Sequence, residues 1–268
     1  MKARTIKETF RKLKAGGKAA LMPYIMAGDP DLARSGEVLR AVVRAGADII
    51  ELGMPFSDPL ADGPAIQSAG LRALKHHVTC EDVFGLVKEI RKDLATPIVL
   101  MTYYNLIFVK GVRAYVTGAA KAGVSGLIVP DLPMEESEEL EKHCRAHGLD
   151  LIFLAAPTSS PERVRKLAEH TNGFLYYVSR TGVTGARKTL PRDLTRKLKM
   201  LRENVQLPVA VGFGIKDAHQ AKTVAKHADG VIIGSAIVKI IEEYGESEEL
   251  IARVEEFTRP IAEGVHGG

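Results

Sequence analysis

Eight apolar runs of strand length recur along the chain, and segments of helical character separate them. The runs are "AALMPYIM" at 19–26, "ADIIEL" at 47–52, "PIVLMTY" at 97–103, "VSGLIVP" at 124–130, "LDLIFLA" at 149–155, "GFLYYVS" at 173–179, "LPVAVGFG" at 207–214 and "DGVIIGS" at 229–235. Near-continuous Val, Ile and Leu, without strict polar alternation, is the pattern of strands buried on both faces of a parallel sheet. The intervening segments, among them "DLARSGEVLRAVVRAGA", "EESEELEKHCRAHG", "SPERVRKLAEHTNG" and "KDAHQAKTVAKHA", carry apolar residues at spacings of three and four. Several open on Asp, Ser or Pro and close on Gly, as capped helices do.

Eight β/α alternations with no Pro/Gly/Ser-rich linker predict one α/β domain over residues 1–268: a single (β/α)₈ TIM barrel with an extra N-terminal helix near 3–14 and a final helix near 247–263. The longer connection from 53 to 96 has room for a loop, a short helix around "AIQSAGLRALKH" and a regular helix at "CEDVFGLVKEIRKDL".

Bulk properties narrow the function. The formal charge of +4 comes from 37 basic and 33 acidic residues without a like-charge block, which suits an enzyme handling an anion and points away from nucleic acid. Cys80 and Cys144 are far apart and lie in no C-x-x-C motif. The N-terminus is charged throughout its first 18 residues, unlike a signal peptide, and no apolar run reaches membrane-spanning length. A cytoplasmic location, with no membrane association, is the expectation.

In a barrel of this kind chemistry gathers at the C-terminal strand ends and the loops after them. Glu51 stands at the end of the second run, one residue before its last, and "GMPFSDPLADGP" follows with Asp58 and Asp62. From Ala45 to Leu71 four carboxylates, Asp48, Glu51, Asp58 and Asp62, have no Lys or Arg beside them. A carboxylate at a strand end with no local cation suits a functional site as well as a hydrogen-bonded core position. Asp58 before Pro59 and Asp62 before Gly63 also suit turns.

Small residues collect at three later strand ends, in "SRTGVTGARKT", "GFGIKD" and "IIGSAIVKII". Gly185, Gly214 and the Gly234-Ser235 helix start offer backbone N–H groups to a phosphate. Tyr24, Tyr103 and Tyr176, also at strand ends, are placed to line an apolar pocket. No strand run contains Lys, His or Cys, which argues against a Schiff-base aldolase and a metal-dependent one. His143 and His147 stand four apart on a polar helix without an H-E-x-x-H pattern, and no metal is expected. No complete nucleotide-binding glycine motif is present, so the residues favour cofactor-free acid–base chemistry on a phosphorylated small molecule.

The segments "PYIMAGDP", "ELGMPFSDPLADGP", "IVPDLP", "SRTGVTGA", "GFGI" and "IGSAIVKIIE", in that order and over essentially the whole chain, resemble the tryptophan synthase α subunit family. The resemblance implies a (β/α)₈ lyase of tryptophan biosynthesis. Such an enzyme cleaves indole-3-glycerol phosphate to indole and glyceraldehyde 3-phosphate. It holds no cofactor itself and passes indole to a pyridoxal-phosphate-bearing β subunit in an α2β2 complex. Carried over by position, it makes Glu51 and Asp62 the catalytic carboxyl groups. It puts Tyr24, Tyr103 and Tyr176 in the substrate pocket, with Tyr176 near Glu51, and Gly185, Gly214, Gly234 and Ser235 at the phosphate. An aromatic residue without the hydroxyl is common in the family where Tyr24 stands. The segment "SRTGVTGARKT" matches a lid with Gly182 and Gly185 as hinges, whose Thr184 meets Asp62 on closure, and Asp58 matches a loop residue facing the β subunit. Three other readings keep the same barrel: a stand-alone lyase that releases free indole, a non-catalytic barrel that activates a partner, and a sugar-phosphate isomerase.

Overall fold

A computed structural model describes residues 3–178, 194–212 and 214–267. Its strands are β1 (Ala20–Met26), β2 (Ile50–Gly53), β3 (Ile98–Met101), β4 (Gly126–Ile128), β5 (Asp150–Ile152), β6 (Leu154–Ala155), β7 (Leu175–Val178), β8 (Val209–Gly212) and β9 (Gly230–Ile233). All pair in parallel in the order β5-β4-β3-β2-β1-β9-β8-β7-β6, a nearly closed barrel.

Among the described residues nine strands stand for eight apolar runs, because the fifth run divides at Phe153. β5 pairs with β4 through Ile128↔Ile152, whereas β6 pairs with β7 through Leu154↔Tyr176. The Phe153 carbonyl still accepts from the Tyr176 N–H at 3.1 Å, so the two pieces act as one bent stave that brings the ends of the sheet together.

Helices fill the connections. α1 (Ile6–Ala15) begins at Thr5, whose hydroxyl accepts from the Glu8 N–H while the Glu8 carboxylate accepts from the Thr5 N–H. That reciprocal cap sets the start three residues later than the sequence pattern suggested. Next come α2 (Leu32–Arg44), capped by Asp31, α3 (Pro64–Lys75) and α4 (Cys80–Ile90). The last two are the extra and regular helices anticipated between residues 53 and 96. The remaining helices are α5 (Tyr104–Lys110), α6 (Val112–Ala122), α7 (Glu138–His147), α8 (Pro161–His170), α9 (Leu194–Asn204), α10 (Ala218–Ala225), α11 (Ser235–Tyr244) and α12 (Leu250–His266). Among the described residues no helix is long and apolar enough to cross a membrane.

Two interleaved ladders explain why the strand runs are apolar throughout. One set of side chains packs outward under the helices, including Leu21, Ile25, Ile50, Leu52, Ile98 and Leu100. The alternate set points inward, where Met22, Ile49, Val99, Ile128, Phe174, Ala210 and Ile232 form a core closed at its lower end by Ile6 and Phe10 of α1. The Phe10 and Phe174 rings lie 5.8 Å apart. Stepping two residues along each inward ladder leads from this core to the barrel mouth: Met22 to Tyr24, Ile49 to Glu51, Phe174 to Tyr176, Ala210 to Gly212 and Ile232 to Gly234. Along β3 the same steps run from Val99 through Met101 to Tyr103.

Candidate active site

Glu51 is the polar step in an otherwise apolar inward ladder. It is 1% exposed, stands in register with Tyr24 of β1 and Val99 of β3, and among the described residues neither carboxylate oxygen has a hydrogen bond of ordinary geometry. Burial, with the like charge of Asp62 added, raises its pKa to about 8. The Tyr176 hydroxyl faces it and acts in the opposite direction.

The loop after β2 returns the second carboxylate to the same place. The Asp62 N–H donates to the Pro59 carbonyl at 3.1 Å, the Ala61 N–H donates to the Tyr103 hydroxyl at 3.0 Å, and Gln67 of α3 donates to the Asp62 carbonyl at 3.0 Å. Asp62 is buried in consequence, and burial lifts its pKa to about 6 while the Tyr103 hydroxyl holds it down. Phe56, in the same loop, stacks on Tyr103 with ring centroids 5.1 Å apart.

Burial, followed by the Glu51 and Asp62 charges, raises the Tyr24 and Tyr176 phenols. Tyr103 is raised by burial and then by Asp62. All three stay neutral at working pH, so they can donate hydrogen bonds but cannot serve as bases. Tyr24 feels Asp62, Glu51, Tyr103 and Tyr176, which places the five groups in one cluster.

Glycines make room for two of these rings. A Cβ on Gly53 would overlap the Tyr24 hydroxyl, and one on Gly212 would come within 2.7 Å of both the Tyr176 ring and its hydroxyl. We expect Gly212→Ala to push Tyr176 off Glu51, lowering kcat on the order of 10–100-fold while costing only about 1–3 kcal/mol of stability. Steady-state kinetics beside urea unfolding would check this; unchanged kcat would show that the ring's position is immaterial.

At the adjoining strand ends, β8 and β9 are paired, which sets Gly214, just beyond β8, near the start of α11. Gly234 caps α11 without a side-chain hydrogen bond, leaving the first N–H groups from Ser235 onward for a ligand. Gly234 also packs on Tyr24, its ideal Cβ position lying 3.2 Å from the Tyr24 Cβ. The amide-lined corner therefore borders the carboxylate cluster. Thr184 and Gly185, with the lid segment 180–190, lie outside the described residues.

Other acidic candidates separate cleanly. Asp48 accepts from the Leu21 N–H at 2.9 Å and lies 2.8 Å from His266 Nε2, a structural role. Asp58 is exposed and accepts from the Ser57 hydroxyl at 2.5 Å, away from the buried pair. The ring nitrogens of His147 are engaged by Thr117 Oγ1 at 3.1 Å and the His143 carbonyl at 2.9 Å. Sequence reasoning missed the ion pair of Asp29, fully buried after β1, with Arg72 of α3: Nε and Nη2 donate to its two oxygens at 2.7 and 2.9 Å. Arg72 also reaches Glu242 of α11 at 3.0 Å, tying the helix that follows Asp62 to the helix that starts at Gly234. The Asp in "AGDP" and the first cation after the bare stretch were the available signals.

The family model for the tryptophan synthase alpha chain matches residues 10–266. The chain belongs to the tryptophan synthase alpha chain family. It is 47% identical to the alpha chain of Picosynechococcus sp. over 97% of its own length and 99% of that protein's, and 49% identical to that of Methanosarcina mazei over 99% and 96%. Among solved structures it superposes on Mycobacterium tuberculosis tryptophan synthase with a TM-score of 0.91 at 36% identity, covering 100% of both chains. The Legionella pneumophila alpha subunit gives 0.91 at 39%, covering 98% of each. As an alpha chain the protein is a carbon–carbon lyase of tryptophan biosynthesis that cleaves indole-3-glycerol phosphate, and its family implies a tryptophan synthase complex.

Proposed function

We propose that the Glu51 and Asp62 carboxyl groups carry this cleavage by acid–base chemistry, with no metal, Schiff base or cofactor held by the chain. The supporting observation is that the two carboxyl groups are buried in one cluster with Tyr24, Tyr103 and Tyr176, where burial raises Glu51, with the Asp62 charge added, to about 8 and Asp62 to about 6, an order that favours a protonated Glu51 beside an ionised Asp62. The Glu51 carboxylic acid gives its proton to indole C3. Positive character then develops on the indole nitrogen, and the Asp62 carboxylate, accepting that N–H, stabilises it. The Glu51 carboxylate so formed takes the proton of the side-chain hydroxyl beside C3. The carbon–carbon bond breaks, its electron pair returns to the indole ring, and the former carbinol carbon becomes the aldehyde of glyceraldehyde 3-phosphate. Tyr24, Tyr103 and Tyr176 enclose the indole, and the amides at Gly214, Gly234 and Ser235 hold the phosphate.

We assign the partner surface to the exposed side of the same mouth. Asp58 lies in a loop whose Leu60 is 90% exposed, and Phe108 and Val109 of α5, in the connection after β3, are 69% and 78% exposed. Large apolar side chains left in water suit a docked protein. That partner is a β subunit carrying pyridoxal phosphate, in a cytoplasmic α2β2 assembly.

Incubating the chain with indole-3-glycerol phosphate, with and without a β subunit, tests both assignments. Slow indole release alone and faster release with the partner is the expected pattern. No indole under either condition would leave a non-catalytic barrel, and a rate indifferent to the β subunit would leave a stand-alone lyase.

A further inference from the structure

The face opposite the mouth holds a cavity of about 730 Å³, within the range of small-molecule sites. Its wall includes six cations, Lys7, Arg11, Lys14, Lys18, Arg202 and Lys226, against two carboxylates, Asp150 and Asp229. The excess of four equals the formal excess of the entire chain. Little of it is neutralised internally. Asp229 accepts from Arg202 at 3.0 Å and from the Val209 N–H at 2.9 Å, and Lys7 acts on half-buried Asp150. Among the described residues Arg11, Lys14, Lys18 and Lys226 make no ion pair.

The sequence of α1 sets this stripe. Lys7, Arg11 and Lys14 recur at spacings of four and three, on one face beside the apolar Ile6 and Phe10 that plug the barrel. Like charges at those spacings repel, and Lys7 stands in the first turn, where the helix dipole disfavours a cation. Lys14, in the last turn, is favoured by the same dipole, so helix stability accounts for that end of the stripe and not for Lys7 or its spacing from Arg11.

We propose that this cavity is a second ligand site, separate from the catalytic mouth, that takes a small molecule bearing two or more phosphate groups. Cations from α1, the turn after it, α9 and the end of α10 surround one volume, so several phosphate oxygens can be met at once. Arg11 supplies a planar fork and the lysines supply point charges.

The test is calorimetric titration of the full chain with inorganic tripolyphosphate at low ionic strength, where such attraction is least screened. Arg11→Ala/Lys14→Ala should weaken binding about tenfold or more, and Gly234→Asp, at the mouth, should leave it in place. Lys226→Ala, on the opposite wall, should weaken the same site, so the result does not depend on α1 variants that could fail to fold. Cleavage of indole-3-glycerol phosphate should be unchanged in Arg11→Ala/Lys14→Ala and in Lys226→Ala. Binding lost in Gly234→Asp but kept in Arg11→Ala/Lys14→Ala would overturn the proposal, as would equal weakening by Lys142→Ala/Lys166→Ala, two lysines of α7 and α8 that do not line the cavity. Absence of tripolyphosphate binding alongside retention of long RNA would also overturn it and assign the face to an extended polyanion.

Discussion

Glu51→Gln should abolish indole formation and, at pH 8, make the protein more stable than the wild type. The amide keeps the size of the side chain but cannot give or take a proton. One positioned acid or base contributes about 10²–10⁴-fold, and the proposed mechanism uses Glu51 in both capacities, so the loss should fall at or beyond the upper figure. The stability gain follows from linkage. A carboxyl raised from 4.5 to about 8 keeps its proton when folded and loses it when unfolded, so wild-type stability falls as pH rises through that window and levels off above it. The amide variant lacks that slope, and the two proteins should converge toward pH 4.5 and differ by a few kcal/mol, on the order of one per pKa unit, at pH 8. Urea unfolding at pH 5 and pH 8 reads the effect. Parallel pH dependences would deny the buried, proton-holding state, and substantial turnover would remove Glu51 from the chemistry.

Asp62→Asn should cost on the order of 10²–10³ in kcat, because an amide oxygen can accept the indole N–H but brings no full charge to meet the developing cation. A second consequence separates electrostatics from lost shape. Asp62 is the like charge that adds to burial in raising Glu51, so its removal should move the alkaline limb of the pH–rate profile downward. A near-normal rate would make charge stabilisation at residue 62 the wrong account. An unmoved limb would mean the two carboxyl groups do not sense each other.

The barrel was legible because eight apolar runs and capped amphipathic segments between them allow few arrangements. The two ladders within each run were not, since Met22 and Leu21, or Ile49 and Ile50, are chemically alike and only closure of the sheet decides which points inward. Glu51 and Asp62 were marked by a stretch free of cations, but Asp48 carried the same mark. Its His266 neighbour is 218 positions away, on a helix that runs three residues beyond the expected end, so only its place at the start of the run, and not its charge surroundings, set it apart from Glu51. The break at Phe153 was hidden for a similar reason: β5 and β6 pair with different neighbours, which a single apolar run does not record. Exposure of Phe108 and Val109 could not be read from "YNLIFVK", where nearly every residue is apolar. Gly53 and Gly212 acquire meaning only beside Tyr24 and Tyr176, the rings that fill the space their missing side chains leave.

The most direct test of the carboxylate pair is the pH dependence of kcat/KM for indole release between pH 5 and 9. If an ionised Asp62 and a protonated Glu51 are both required, the profile should be a bell with apparent limbs near 6 and 8 that belong to the coupled pair. A flat profile across that range, or one that keeps rising above pH 8, would contradict it.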